Sequence, residues 1–239
     1  MTDNRFEREE MLIGKEALAR LEGARVCLFG VGGVGSYAAE ALARAGVGAI
    51  DIIDNDTVSI TNINRQLCAL TSTVGQNKID VVESRLLDIN PELKIRKYLD
   101  FVLPENIGKY DFSEYDYVID AVDTVSAKLA IIEAAKHADV EVLSCMGTGN
   151  KLDPTALTVT DIAKTSTCPL ARVMRRELKT RGISHVKVIY STESPIKIEQ
   201  NAEGKKAVPA SISFVPSVAG LIAAGEAVKH IIKDAKEDI

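Results

Sequence analysis

Apolar positions along the chain follow two alternating rhythms, and the alternation predicts a fold. Over 7–21, Met11, Leu12, Ala17, Leu18 and Leu21 recur among charges, which predicts one amphipathic helix. An apolar run of strand length, Ala24-Arg25-Val26-Cys27-Leu28-Phe29-Gly30, then ends in a glycine cluster. A helical pattern follows through Tyr37, Ala38, Ala39, Ala41, Leu42 and Ala43. Residues 49–54 read as a second strand, 77–87 as a helix, 93–99 and 117–120 as strands, 127–138 as a helix and 140–144 as a strand. Apolar strands alternating with amphipathic helices predict an α/β fold: a Rossmann-like, mostly parallel sheet with helices on both faces.

The rhythm changes after about residue 150. Strand-like runs over 157–160 and 186–190 flank a charged helix over 169–180, and 214–232 reads as a closing helix. These predict a C-terminal antiparallel extension sealed by that helix. The polar stretch 199–206, with Gly204, reads as a surface loop or hairpin. No low-complexity linker and no internal repeat divides the chain. The expectation is one domain over 1–239, made of an N-terminal helix (1–22), a Rossmann-like part (24–150) and a C-terminal part (151–239).

Composition narrows the class. The 239 residues are 46% hydrophobic and 26% charged, enough for a substantial core and unlike a disordered chain. Lys plus Arg number 29 against 34 Asp plus Glu, a net charge of −5 that argues against a protein coating nucleic acid with its whole surface. A local basic patch remains open. Arg172, Arg175, Arg176, Lys179, Arg181 and Lys187 cluster with only Glu177 opposing them nearby, and helical spacing puts Arg172, Arg175, Arg176 and Lys179 on one face. The polar, mixed-charge start lacks the features of a signal or transit peptide, and the apolar stretch 215–224 is too short for a bilayer. A cytoplasmic protein with no membrane partner is expected. Cys27, Cys68, Cys145 and Cys168 are widely spaced with no Cys-x-x-Cys pair, so neither a disulfide framework nor a four-cysteine zinc site is expected. His137, His185 and His230 have no ligand-like spacing.

The chemistry concentrates in a few motifs. Gly30-Val31-Gly32-Gly33-Val34-Gly35-Ser36 sits between a strand and a helix and satisfies Gly-x-Gly-x-x-Gly. Gly30 permits the tight turn, Gly32 lets a phosphate approach the backbone, and Gly35 lets the helix pack close. Asp54 ends the second strand, placed to accept hydrogen bonds from ribose hydroxyls. The loop alone fits NAD, S-adenosylmethionine or ATP. Thr61-Asn62-Ile63-Asn64-Arg65-Gln66 and Gly75-Gln76-Asn77-Lys78 then add amides and two cations, which suit a triphosphate. Asp120-Ala121-Val122-Asp123 puts two carboxylates at a strand's C-terminal end, where hard oxygens suit Mg2+ or the residues simply cap the next helix. Asp123 is the stronger metal candidate.

Together these motifs resemble the set shared by the ubiquitin-activating-enzyme-like adenylyltransferases, over about 5–147. Asp153-Pro154-Thr155, Val159-Thr160-Asp161-Ile162-Ala163-Lys164-Thr165, Pro169-Leu170-Ala171 and Tyr190-Ser191-Thr192-Glu193 are similar to the branch that dehydrates threonylcarbamoyladenosine on tRNA. The resemblance implies an ATP- and Mg2+-dependent enzyme. It would cyclise threonylcarbamoyladenosine beside the anticodon through an acyl adenylate of the threonyl carboxylate. The alternative is activation of the C-terminus of a small sulfur-carrier protein. The resemblance also implies Gly30, Gly32, Gly33, Gly35, Asp54, Asn62, Gln66 and Lys78 around ATP, Asp123 on Mg2+, and Arg65, Lys78, Asp123 and Arg8 in catalysis. Arg8 matches an arginine that reaches the ATP of the other subunit of a homodimer, with Arg5 its substitute, and Arg44 recurs in the group in a packing or salt-bridge role. Arg172, Arg175, Arg176 and Lys179 would contact tRNA, and a sulfur-relay protein is a further candidate partner. The missing Cys-x-x-Cys pairs favour the tRNA branch. Lys206-Ala207-Val208-Pro209-Ala210-Ser211 has no cysteine, which excludes a thioester there, and Cys168 reads as a free loop thiol rather than a nucleophile.

Overall fold

The computed structural model describes residues 4–198 and 209–233, so the loop expected over 199–206 lies outside the described residues. The strands are β1 (Arg25–Phe29), β2 (Ala49–Ile53), β3 (Lys94–Tyr98), β4 (Tyr117–Asp120), β5 (Val142–Cys145), β6 (Leu157–Asp161) and β7 (Lys187–Ser191). The helices are α1 (Glu7–Ile13), α2 (Lys15–Gly23), α3 (Gly35–Arg44), α4 (Lys78–Ile89), α5 (Val125–His137), α6 (Pro169–Thr180) and α7 (Phe214–Ile231). One seven-stranded sheet takes strands from both halves of the chain, in the order β3-β2-β1-β4-β5-β7-β6. Every neighbouring pair is parallel except β6 on β7, so the antiparallel extension is a single edge strand.

Coverage on both faces explains why the central strands are almost wholly apolar. Along β1, Val26 and Leu28 enter one core with Leu18 of α2, Leu42 of α3, Ile79 of α4 and Ala219 of α7. Cys27 and Phe29 enter the other with Ile131 of α5 and Met174 and Leu178 of α6. By length and hydropathy α7 could cross a membrane. Its Val215, Ala219, Gly220, Ala223, Ala224 and Ala227 are instead buried, and it packs on α3. The approach is close: a Cβ on Gly220 would lie 2.2 Å from the Val34 carbonyl oxygen.

One expectation fails at the N-terminus. The helix predicted over 7–21 is two helices, because Gly14 adopts φ +84° and breaks the run. Its N–H caps α1 by donating to the Glu10 carbonyl, and its own carbonyl accepts from Leu18 at 3.2 Å. Amphipathic spacing continues across the break, which hides it from a periodicity reading.

The strand order reverses direction at β1. From β1 the sheet builds outward through β2 and β3 on one side and β4 and β5 on the other. In open α/β sheets such a switch point leaves a crevice beyond the C-terminal ends of the strands.

Candidate active site

The crevice is a cavity of about 490 Å³, and it gathers residues from separate stretches of chain. Gly30, Gly32 and Gly33 line it from the turn between β1 and α3. Gly30 has φ +87°, and a Cβ there would lie 2.9 Å from the Ala121 carbonyl oxygen. Gly35 lies off the cavity wall and acts by packing, since a Cβ there would overlap the Gly30 carbonyl oxygen at 1.8 Å. The buried Ser36 binds the turn from within: its hydroxyl donates to the Gly32 carbonyl at 2.6 Å and accepts from Leu67 N–H at 3.2 Å. The N-terminus of α3 therefore faces the cavity with donors and a favourable dipole for an anion.

Asp54, at the end of β2, holds this turn. Its Oδ2 accepts from Val31 N–H at 2.9 Å and its Oδ1 from Asp56 N–H at 2.8 Å. Asp56 in turn fixes Lys78. The two backbones pair, with Lys78 N–H on the Asp56 carbonyl at 3.0 Å, and Lys78 Nζ meets Asp56 Oδ2 at 2.7 Å. The lysine side chain is 5% exposed and the aspartate 62%, so the ammonium is seated in the wall with its partner at the rim. Asp56 was missed in the sequence, although Asp54-x-Asp56 at a strand end puts both on one side of the chain.

Asn62 ends a short 3-10 turn (Ile60–Asn62), Arg65 and Gln66 follow it, and all three line the same cavity. Asn62 Oδ1 accepts from Ser59 N–H at 3.0 Å, closing a capping box. Arg65 Nη1 donates to the Thr61 carbonyl and to Asn64 Oδ1, both at 3.0 Å, and Gln66 is buried. Asp123 lines the cavity from the end of β4 and makes no hydrogen bond or ion pair among the described residues. It does not cap α5, whose N-cap is Thr124.

Asp120 is elsewhere. It is fully buried, paired with Lys128 Nζ at 3.1 Å, and accepts from Ser144 Oγ at 2.5 Å and Val122 N–H at 3.2 Å. Lys128 also donates to the Cys145 carbonyl at 2.6 Å. The metal or phosphate role considered for Asp120 gives way to a structural one, bracing the loop that carries Asp123.

The α6 face also needs correcting. Arg175 turns inward, with Nη1 on the Thr165 carbonyl at 2.8 Å and its hydroxyl at 2.7 Å. Arg172 and Lys179 are exposed and unpaired among the described residues, while Arg176 is exposed and shares Glu177 with Arg181. Arg181 is further tied to Glu133, and Lys187 to Glu141 and Glu226, so neither joins the face.

At the N-terminus, Arg5 Nη1 donates to the Ile89 carbonyl at 2.6 Å, at the C-terminal end of α4. Arg8 is exposed on α1, outside the cavity and unpaired among the described residues. Arg44 forms the salt bridge expected of it, with Glu40, which also pairs with Arg85. All four cysteines are buried and free, including Cys168, which caps α6 rather than lying in an open loop. Burial pushes the Cys27 and Cys68 thiols up and raises Cys145 to about 12, poor conditions for a thiolate nucleophile.

A chain with this sheet order, glycine turn and ring of Asp54, Arg65, Lys78 and Asp123 can be compared with known proteins. The model of the ThiF family matches residues 6–239. The chain belongs to the ThiF family. This ThiF-family chain is 46% identical to the tRNA threonylcarbamoyladenosine dehydratase of Bacillus subtilis (strain 168), over 97% of its own length and 96% of that relative. It matches the crystal structure of Escherichia coli tRNA N6-threonylcarbamoyladenosine dehydratase, TcdA, in complex with ATP, with a TM-score of 0.88 and 38% identity. The match covers 97% of this chain and 95% of that one. The ThiF-family likeness to the adenylyltransferase and sulfurtransferase UBA4 of Candida glabrata is narrower: 36% identity over 62% of this chain and 34% of that protein.

Proposed function

We propose that this protein is an ATP-dependent tRNA threonylcarbamoyladenosine dehydratase, acting in the cytoplasm as a homodimer of single domains spanning 1–239. The observation that carries this reading is the convergence of Arg65, Lys78 and Asp123, from three separate segments, on the glycine turn at the sheet's switch point. The nearly full-length match to the dehydratases favours modified tRNA over a carrier protein, which the shorter UBA4 match would suggest.

In this reading Asp54 accepts from the ribose hydroxyls with the lone pairs left by its two backbone bonds. The glycine turn and the α3 N-terminus hold phosphate oxygens, together with Gln66 and Asn62. The threonyl carboxylate attacks the α-phosphorus, the bond to the β-phosphate oxygen breaks, and pyrophosphate leaves. Arg65 and Lys78 take up the charge that builds on the phosphate oxygens. A nucleophile within the modification then attacks the activated carbonyl, and AMP departs with one former carboxylate oxygen. Ring closure is intramolecular, so the substrate itself supplies proximity.

The chain fits Mg2+. Asp123 is an exposed, unpaired carboxylate among the described residues, and Mg2+ is commonly held by one or two carboxylates plus substrate phosphates and water. When bound, the ion would neutralise charge on the departing pyrophosphate. Arg8, unpaired among the described residues, is available to a partner subunit, whereas Arg5 is engaged on α4. Arg172, Arg176 and Lys179 form the basic face offered to tRNA.

The test is mass spectrometry of threonylcarbamoyl-modified tRNA incubated with enzyme and ATP. The expected product is lighter by one water, and a heavy-oxygen label in the threonyl carboxylate appears in AMP. Lys78→Ala should abolish AMP formation while leaving the circular dichroism spectrum unchanged. Wild-type turnover by Lys78→Ala sinks the site assignment. Pyrophosphate exchange only with a small protein ending in Gly-Gly would favour the carrier reading.

A further inference from the structure

The loop after β5 carries an asparagine in a conformation that asparagine tolerates and most residues avoid. Asn150 has φ +59°. From there it binds the chain on both sides of the crossing from β7 to α7. Its carbonyl accepts from Ile196 N–H at 2.8 Å. Its N–H donates to the Ala210 carbonyl at 2.7 Å, and its Oδ1 accepts from Ala210 N–H, also at 2.7 Å. The side-chain amide thus completes a two-bond pairing with Ala210 of the kind one strand residue makes with another. The contact is tight, since a Cβ on the preceding Gly149 would lie 2.8 Å from Pro209 Cβ.

The next residue is held from the opposite side. Ser211 gives its carbonyl to Asn64 Nδ2 at 3.0 Å, and Asn64 Oδ1 accepts from Arg65 Nη1 at 3.0 Å. Ser211 and Arg65 both line the nucleotide cavity. A continuous path therefore runs from Asn150 through Ala210, Ser211 and Asn64 to the guanidinium of Arg65. None of its hydrogen bonds involves Asp54, which among the described residues accepts from Val31 and Asp56.

We propose that Asn150 and Asn64 are positioning residues: together they clamp Pro209–Ser211 across the Arg65 side of the cavity and fix that guanidinium where the acyl phosphate forms. This rests on the dehydratase reading above. The clamp acts on the reacting end and leaves the ribose end alone, so its loss should change kcat and spare the affinity for ATP. Small misplacements of a reacting geometry carry large rate effects.

The experiment is steady-state cyclisation of threonylcarbamoyl-modified tRNA by wild type, Asn150→Ala, Asn150→Asp, Asn64→Ala and the Asn64→Ala/Asn150→Ala double variant. Asn150→Ala and Asn64→Ala should each lower kcat about tenfold, with the KM for ATP unchanged. Asn150→Asp keeps the acceptor and the backbone conformation and should recover most of the rate. The double variant should resemble the poorer single one, because both residues act on one segment. Asn64 is exposed, so its variant tests the clamp even where Asn150→Ala fails to fold. Wild-type kcat in Asn64→Ala, a KM for ATP that rises in step with the loss, or no recovery in a folded Asn150→Asp would overturn the clamp alone. A wild-type protein that leaves modified tRNA unchanged would overturn the functional reading and the clamp with it.

Discussion

At the scale of single residues, charge placement separates function from support. Asp120 and Asp123 lie three positions apart, yet Asp120 is sealed against Lys128 with both side chains at 0% exposure, while Asp123 stands open in the cavity. A buried pair is expensive to break because the survivor stays charged without a partner. Lys128→Ala should cost about 3–5 kcal/mol in urea unfolding, against a small effect for Asp123→Ala. A Lys128→Ala protein with wild-type stability would refute the pairing. The sequence ranked Asp123 above Asp120 but could not show that Asp120 is sealed, because its partners lie 8 and 24 positions away. The glycine turn was readable for the opposite reason: its constraint is steric and local, and every contact it needs is implied by strand, turn and helix in order. Asp56 shows the boundary. It lies two residues from Asp54, but its role depends on Lys78, 22 positions on.

Among the elements, α6 shows what helical spacing tells and what it leaves out. Spacing puts Arg172, Arg175, Arg176 and Lys179 near one face, and the helix forms where expected, with Pro169 in its first turn. The buried positions Ala171, Met174 and Leu178 put Arg175 at the edge of the core, where its guanidinium satisfies Thr165. Which flank of a basic face meets the protein depends on tertiary packing, so periodicity could not assign it. Charge reversal of Arg172, Arg176 and Lys179 should weaken modified-tRNA binding and flatten its salt dependence, with ATP binding unchanged. Filter binding across a salt series measures both, and unchanged tRNA affinity would return α6 to the role of a solvated surface helix. Arg175→Glu is a poor probe of the same question, since it also strips the Thr165 contacts. The strands and remaining helices fall within two residues of their predicted limits, because a parallel sheet covered on both faces leaves little ambiguity in its apolar runs. Only the α1–α2 break at Gly14 escaped, where one backbone angle overrides an unbroken pattern.

For the whole molecule, an acidic chain with a basic face needs its charges sorted in space, and Arg8, exposed and unpaired among the described residues, belongs to that sorting. If Arg8 completes the neighbour's site, Arg8→Ala and Lys78→Ala should each be inactive alone and active when mixed. Random pairing of two-fold dimers puts half the molecules in hybrids with one whole site, giving about a quarter of wild-type turnover. No recovery in verified hybrids would place Arg8 outside catalysis. The packing of α7 on α3 has a consequence in time as well. Gly220 lies against the Val34 carbonyl, in the same turn that carries the glycine motif. In chain order the turn precedes the helix that presses against it, so synthesis makes the motif before its support. A nascent chain thus holds the nucleotide motif long before it has the support that shapes it. A chain interrupted before α7 should therefore carry the motif without that support and bind ATP more weakly than the intact one.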